Sequence, residues 1–167
     1  MVRILEVGGG ENPNPKTSVR MDTRYIQGKV DVVGDAKDLS MFNDGEFDGV
    51  YARHVLEHWS YRETREVLLE WGRVIKPGGT LEIHCPDLDK LIHCYLSQIV
   101  DGYTGKRFDT QLFVYYLYGD QSYKDNTHKA GWNFESLSAI LRSVGFTTIE
   151  RQKQYEDHLE MRIVAKK

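Results

Sequence analysis

Nowhere in the sequence do apolar residues run long enough to span a bilayer, which takes about 20 in a row. The start, Met1-Val2-Arg3, leads straight into an apolar run with no charged leader before it. A soluble, cytoplasmic protein is therefore expected. Lys and Arg number 22 against 25 Asp and Glu, for a net charge of −3, and no long basic run appears. That excludes the electrostatic footprint of a general nucleic-acid binder. Cysteine is scarce: Cys85 and Cys94 are the only two, too few for a disulfide framework, and reduced thiols are expected. Proline is scarce as well, and two of the four stand at 13 and 15, where they forbid a long helix. The sequence has no internal repeat, linker or low-complexity segment. What remains is 167 residues at 40% hydrophobic content, enough to build the core of one domain.

The most informative stretch is Ile4-Leu5-Glu6-Val7-Gly8-Gly9-Gly10-Glu11-Asn12-Pro13. It reads as a buried strand running into a turn. Consecutive glycines weaken a strand and are useful where the backbone takes positive φ or a ligand approaches closely. Three more apolar runs follow: Val19 to Asp22, Val30 to Asp35, and Phe47 to Tyr51. In an open α/β sheet ligands sit at the carboxyl ends of the strands, where Glu6, Asp22 and Asp35 would gather.

Ser60-Tyr61-Arg62-Glu63 has the pattern of a capping box and predicts a helix start. Val67, Leu68, Trp71, Val74 and Ile75 recur on one helical face until Lys76-Pro77-Gly78-Gly79 turns the chain into a strand at Thr80 to His84. Leu88 to Ile99 reads as a helix. Asn133 is a suitable N-cap for a helix with Phe134, Leu137, Ile140, Leu141 and Val144 on its apolar face, stopped by Gly145. Phe146 to Gln152 and Leu159 to Ala165 close the chain as two strands. The stretch from Asp101 to Lys129 is rich in aromatics (Tyr103, Phe108, Phe113, Tyr115, Tyr116, Tyr118, Tyr123) and has no clear period.

Taken together, ILEVGGGENPNP, VDVVGDAKDL, FDGVYARHVLEH, RVIKPGGTLEIHCPDL and LRSVGF resemble the class I S-adenosylmethionine-dependent methyltransferases, in particular a small bacterial type. The resemblance implies an α/β, Rossmann-like fold: a seven-stranded, mostly parallel sheet, helices on both faces, and an antiparallel last strand. It implies one methyltransferase domain over 1–167, with 101–132 a candidate substrate-side lid, and S-adenosyl-L-methionine as cofactor. Carried over residue by residue, Glu6 matches the first motif's acid, and Gly8 and Gly10 the glycines under the methionine part. Asp22 matches the acid for the ribose hydroxyls, Asp35 and Ala36 the pair beside the adenine, and Arg53 the position after the fourth strand facing the cofactor. Acids near the loop also suit a cationic sulfonium and ammonium, whereas they would repel a pyrophosphate. The sequence departs from the family where only short links, Pro13 to Thr17 and Thr23 to Lys29, replace full helices. Parallel crossovers ordinarily need about a dozen residues or more, so thin cover of one sheet face and a homodimer are expected.

Other chemistries compete. His54-Val55-Leu56-Glu57-His58 matches H-x-x-E-H, a zinc-hydrolase pattern, but equally the VLEH stretch of the methyltransferases, and no metal is expected. An NAD-dependent oxidoreductase would need glycine at Pro13 and an acid later than Asp22. A non-catalytic module that binds S-adenosylmethionine, or serves assembly alone, is the remaining alternative. Methyl transfer needs mainly in-line positioning. Should a base be used, His128 and then Asp87 are the candidates, with an N-cap as the other reading of Asp87. The acceptor is expected to offer oxygen or nitrogen on a small molecule or glycan precursor, with neither nucleic acid nor membrane as partner.

Overall fold

The structure is a computed structural model that describes residues 2–100, 105, 107–123, 126–153 and 159–167. Seven strands form one sheet in the order β3-β2-β1-β4-β5-β7-β6. They are β1 (Ile4–Val7), β2 (Val19–Asp22), β3 (Val32–Val33), β4 (Phe47–Arg53), β5 (Ile75–Pro86), β6 (Thr148–Arg151) and β7 (Glu160–Lys166). β1 to β5 pair in parallel, and β7 runs antiparallel to both β5 and β6. This is the Rossmann-like class I methyltransferase arrangement that the motifs imply. The helices are α1 (Thr64–Val74), α2 (Leu88–Ser97), α3 (Thr110–Tyr118) and α4 (Phe134–Ser143).

The local signals explain where the helices start and stop. Glu63 reaches back to the Ser60 amide at 3.1 Å and accepts from the Ser60 hydroxyl at 2.7 Å, so Ser60 donates where the capping pattern would have it accept. α1 then begins at Thr64, and Val67, Leu68, Trp71 and Val74 are fully buried along its predicted face. Asn133 caps α4 by accepting from the Ser136 amide at 2.9 Å, and Gly145 leaves it at φ +100°. α3 emerges from the aromatic stretch because Asp109 accepts from the Leu112 amide at 2.9 Å and so caps it. Tyr103, and the turn between the last two strands at 154–158, lie outside the described residues.

Period-2 alternation sorts the sheet into two faces. Leu5, Val7, Met21, Val50, Ala52, Leu81, Ile83, Met161, Ile163 and Ala165 are buried and form one core with α1 and α4, which touch each other. The register places Glu6, Tyr51, Glu82, His84, Arg162 and Val164 on the opposite face. There Tyr51, Glu82, His84 and Arg162 stay half-buried and Arg53 is exposed. The helices α1 and α4 pack on the apolar face. No helix joins β1 to β2 or β2 to β3. β1 and β2 are four residues each and β3 is two, so a return path of ~13 Å or less, at about 3.3 Å per residue, is covered by loops without a helix.

Candidate active site

Strand order reverses between β1 and β4, and there a cavity of about 320 Å³ opens at the carboxyl ends of the strands. Its floor is the glycine loop. Gly8 (φ +71°) donates to the Met21 carbonyl at 2.8 Å, and Gly10 (φ +53°) donates to Asp22 Oδ2 at 3.0 Å. A Cβ on Gly8 would lie 2.2 Å from Val55 Cγ2, so the close approach of β1 to the segment after β4 requires glycine. Asp22 also accepts the Arg24 amide at 2.9 Å. Asp35 accepts the Lys37 amide at 2.9 Å, and Trp71 fixes the next residue by donating its indole N–H to the Ala36 carbonyl at 2.8 Å.

Gly8, Gly10, Asp22, Asp35 and Ala36 all line this cavity. Glu6 does not. Its buried carboxylate accepts from the Asn14 amide at 3.0 Å and the Thr17 hydroxyl at 2.8 Å, bracing the loop from behind. Arg53 ends β4 in an exposed position off the cavity, because strand alternation turns it to the polar face beside His84. Asp87 is fully buried and caps α2, accepting from the Asp89 amide at 3.2 Å, and it pairs with Arg151. These bonds give it the N-cap role and leave it off the cavity. His128 stands one step away: its ring meets His58 edge-on at 5.1 Å, and His58 lines the cavity.

The sequence alone did not single out Arg24, Tyr123 and Lys129, which complete the lining with His54 and His58. Tyr123 and Lys129 come from the candidate lid, and the Arg24 guanidinium lies 5.0 Å from the Tyr123 ring centre. Arg24 was legible only as a cation two residues past a strand-end acid. His54 sits at φ +52°, an uncommon backbone state for a non-glycine residue. It is held from both sides, Nδ1 by Glu57 at 3.2 Å and Nε2 by Glu160 at 2.7 Å. Burial pushes the imidazole down, but these two hydrogen bonds win and hold its pKa up at about 9. Burial likewise opposes ionisation of Glu160, yet hydrogen bonds from His54 and His84 hold its carboxyl well below the usual range. His128 goes the other way: burial lowers its pKa, and it is neutral near pH 7. Its Nδ1 faces the Tyr116 carbonyl at 3.0 Å and must donate, which leaves Nε2 as the basic atom. The H-x-x-E-H residues do not converge on a point, and among the described residues no three His, Cys, Asp or Glu side chains are grouped to hold a metal ion. Among the described residues no helix is long and apolar enough to cross a membrane.

A family model described as a methyltransferase domain matches residues 12–83. Among curated proteins none matches the chain. The fold is similar to that of a SAM-dependent methyltransferase from Archaeoglobus fulgidus, with 20% identity and a TM-score of 0.64 over 99% of this chain and 86% of the other. It is also similar to a SAM-dependent methyltransferase from Thermotoga maritima, with 16% identity and a TM-score of 0.67 over 99% of this chain and 82% of the other. At these identities the likeness is one of fold.

Proposed function

We propose that the chain is a class I S-adenosylmethionine-dependent methyltransferase, with S-adenosyl-L-methionine as cofactor, that methylates an oxygen or nitrogen on a small molecule or glycan precursor. The observation that carries this reading is the convergence of Gly8, Gly10, Asp22, Asp35 and Ala36 on one cavity at the strand switch point. These residues fit the donor. Two glycines at positive φ turn the loop beneath the cavity, and the Asp22 and Asp35 carboxylates suit the donor's sulfonium and ammonium. When bound, the donor supplies a methyl group on sulfonium, already a good leaving group.

The chain's own residues then have separable tasks. Asp22 would hold the ribose, and Asp35 with Ala36 would meet the adenine. Arg24, paired with Asp22 at 3.4 Å, the protonated His54 and Lys129 bring three cations to the cavity beside the Asp22 and Asp35 carboxylates, and Lys129 suits the carboxylate of the donor's amino acid end. Tyr123 and Lys129 act as the lid side. His128, neutral with Nε2 as its basic atom and in ring contact with His58, is the base for an acceptor hydroxyl or amine. The acidic balance of the chain favours a small acceptor over nucleic acid.

The test is ligand-induced stabilisation. S-adenosylmethionine or its demethylated product, at about 100 times its Kd, should stabilise the fold by ~2.7 kcal/mol, and NAD should not. A melting shift with NAD alone would favour the oxidoreductase reading. Assembly is a separate question. A homodimer across the sheet face opposite α1 and α4 would bury Glu82, His84 and Arg162 instead of an apolar surface. Light scattering over micromolar concentrations decides whether it forms.

A further inference from the structure

A second, smaller cavity of about 10 Å³ is lined by Glu57, Cys85, His128 and Trp132 together with residues of α2 and α3. Glu57 and His128 line it, and their contact partners His54 and His58 line the larger cavity. Glu57 is 1% exposed and Trp132 is 6% exposed. Glu57 Oε1 takes the His54 bond, whereas Glu57 Oε2 and the Trp132 indole nitrogen have no hydrogen-bond partner among the described residues. A carboxylate buried beside an imidazolium and an indole N–H, both lining one small space, are costly to leave unpaired.

Their chemistry restricts what can satisfy both. A carboxylate oxygen accepts and an indole N–H only donates. A protonated amine would serve Glu57 and leave Trp132 bare, and a carbonyl would do the reverse. A hydroxyl serves both, donating to Glu57 Oε2 and accepting from Trp132 Nε1. The volume agrees, since one water-sized group needs roughly 10–15 Å³ by this measure. We propose that this cavity is a hydroxyl subsite between Glu57 and Trp132, taking either a water molecule or the hydroxyl of the methyl acceptor. The water arm stands independently of the proposed function, and the acceptor arm rests on it.

The experiment is nuclear magnetic resonance on the full chain, with the Trp132 indole signal assigned by Trp132→Phe or, if that variant does not fold, by through-bond correlation. The subsite requires a cross-peak between the indole proton and a long-lived water. Its absence overturns the proposal. Titration with methanol then separates the two sources. Replacement of the water cross-peak by one to the methanol methyl protons shows that an organic hydroxyl enters, whereas persistence of the water peak assigns the subsite to water alone and removes the acceptor from it. Methylamine, similar in size but protonated, should leave the peak in place, and displacement by it would overturn the hydroxyl selectivity. Donor binding measured by calorimetry on the same sample keeps a failure of the methyltransferase reading distinct from a failure of the subsite.

Discussion

His54 Nε2 lies 2.7 Å from Glu160 Oε2, tying the residue after β4 to the first residue of β7 across the strand between them. A pH dependence follows. The imidazole is raised from its ordinary 6.5 to about 9, so the fold favours the protonated ring. Its contribution is fully present below about pH 6.5 and is lost as pH rises through about 9. His54→Asn tolerates the same backbone state and removes the charge. In denaturant unfolding the wild-type advantage over this variant should be largest near pH 6 and shrink above pH 9. A difference that stays constant across that range would refute the pairing. The side chain is 42% exposed, so solvent screening keeps the effect small.

Asp22→Ala should weaken donor binding about tenfold to a hundredfold, the loss expected for charge-assisted hydrogen bonds of ~1.5–3 kcal/mol. It should also lower the melting temperature, because Asp22 Oδ2 accepts the Gly10 amide at 3.0 Å and so braces the loop. Calorimetry that finds unchanged affinity would leave Asp22 a turn residue only.

Gly8→Ala and Gly28→Ala separate crowding from backbone strain. Both glycines have positive φ, +71° and +72°, but only a Cβ at Gly8 meets Val55 Cγ2, at 2.2 Å. The Gly28 change should cost ~1–2 kcal/mol for the left-handed backbone alone. The Gly8 change should cost about 1–3 kcal/mol more from overpacking and abolish donor binding. Equal destabilisation of the two variants would mean that Val55 yields freely.

His128→Ala tests the base. Single-turnover transfer should drop about 10²–10⁴-fold with donor affinity nearly intact, since His128 lies off the donor cavity. A parallel fall of both quantities would reduce it to a packing residue under Tyr116.

Asp87→Ala is the opposite case. It should cost about 1–2 kcal/mol of stability as a lost N-cap and leave donor affinity unchanged. Its partner Arg151 is 39% exposed and can be solvated once unpaired, so the larger penalty of a stranded buried charge does not apply. A selective loss of methyl transfer with full stability would restore Asp87 as a catalytic candidate.

The glycine loop, the strand-end acids, the apolar face of α1 and the Asn133 cap were legible in the sequence because each depends on residues a few positions apart. Gly8, Gly10, Asp22 and Asp35 reach one cavity simply because parallel strands end on the same side. α3 was hidden by aromatics on all its sides, although Asp109 marked its start. What only the tertiary structure decided lies in pairs that meet across the sheet. Glu160 turns His54 into a cation, His58 finds His128, and Arg151 binds Asp87. Strand alternation sends Arg53 away from the cavity and gathers Tyr51, Glu82, His84 and Arg162 on the sheet face opposite the apolar core. Local pattern sets which residues can sit on a strand end or a helix face; which charges then share a low-dielectric neighbourhood, and so which are ionised, follows from strand order and register alone.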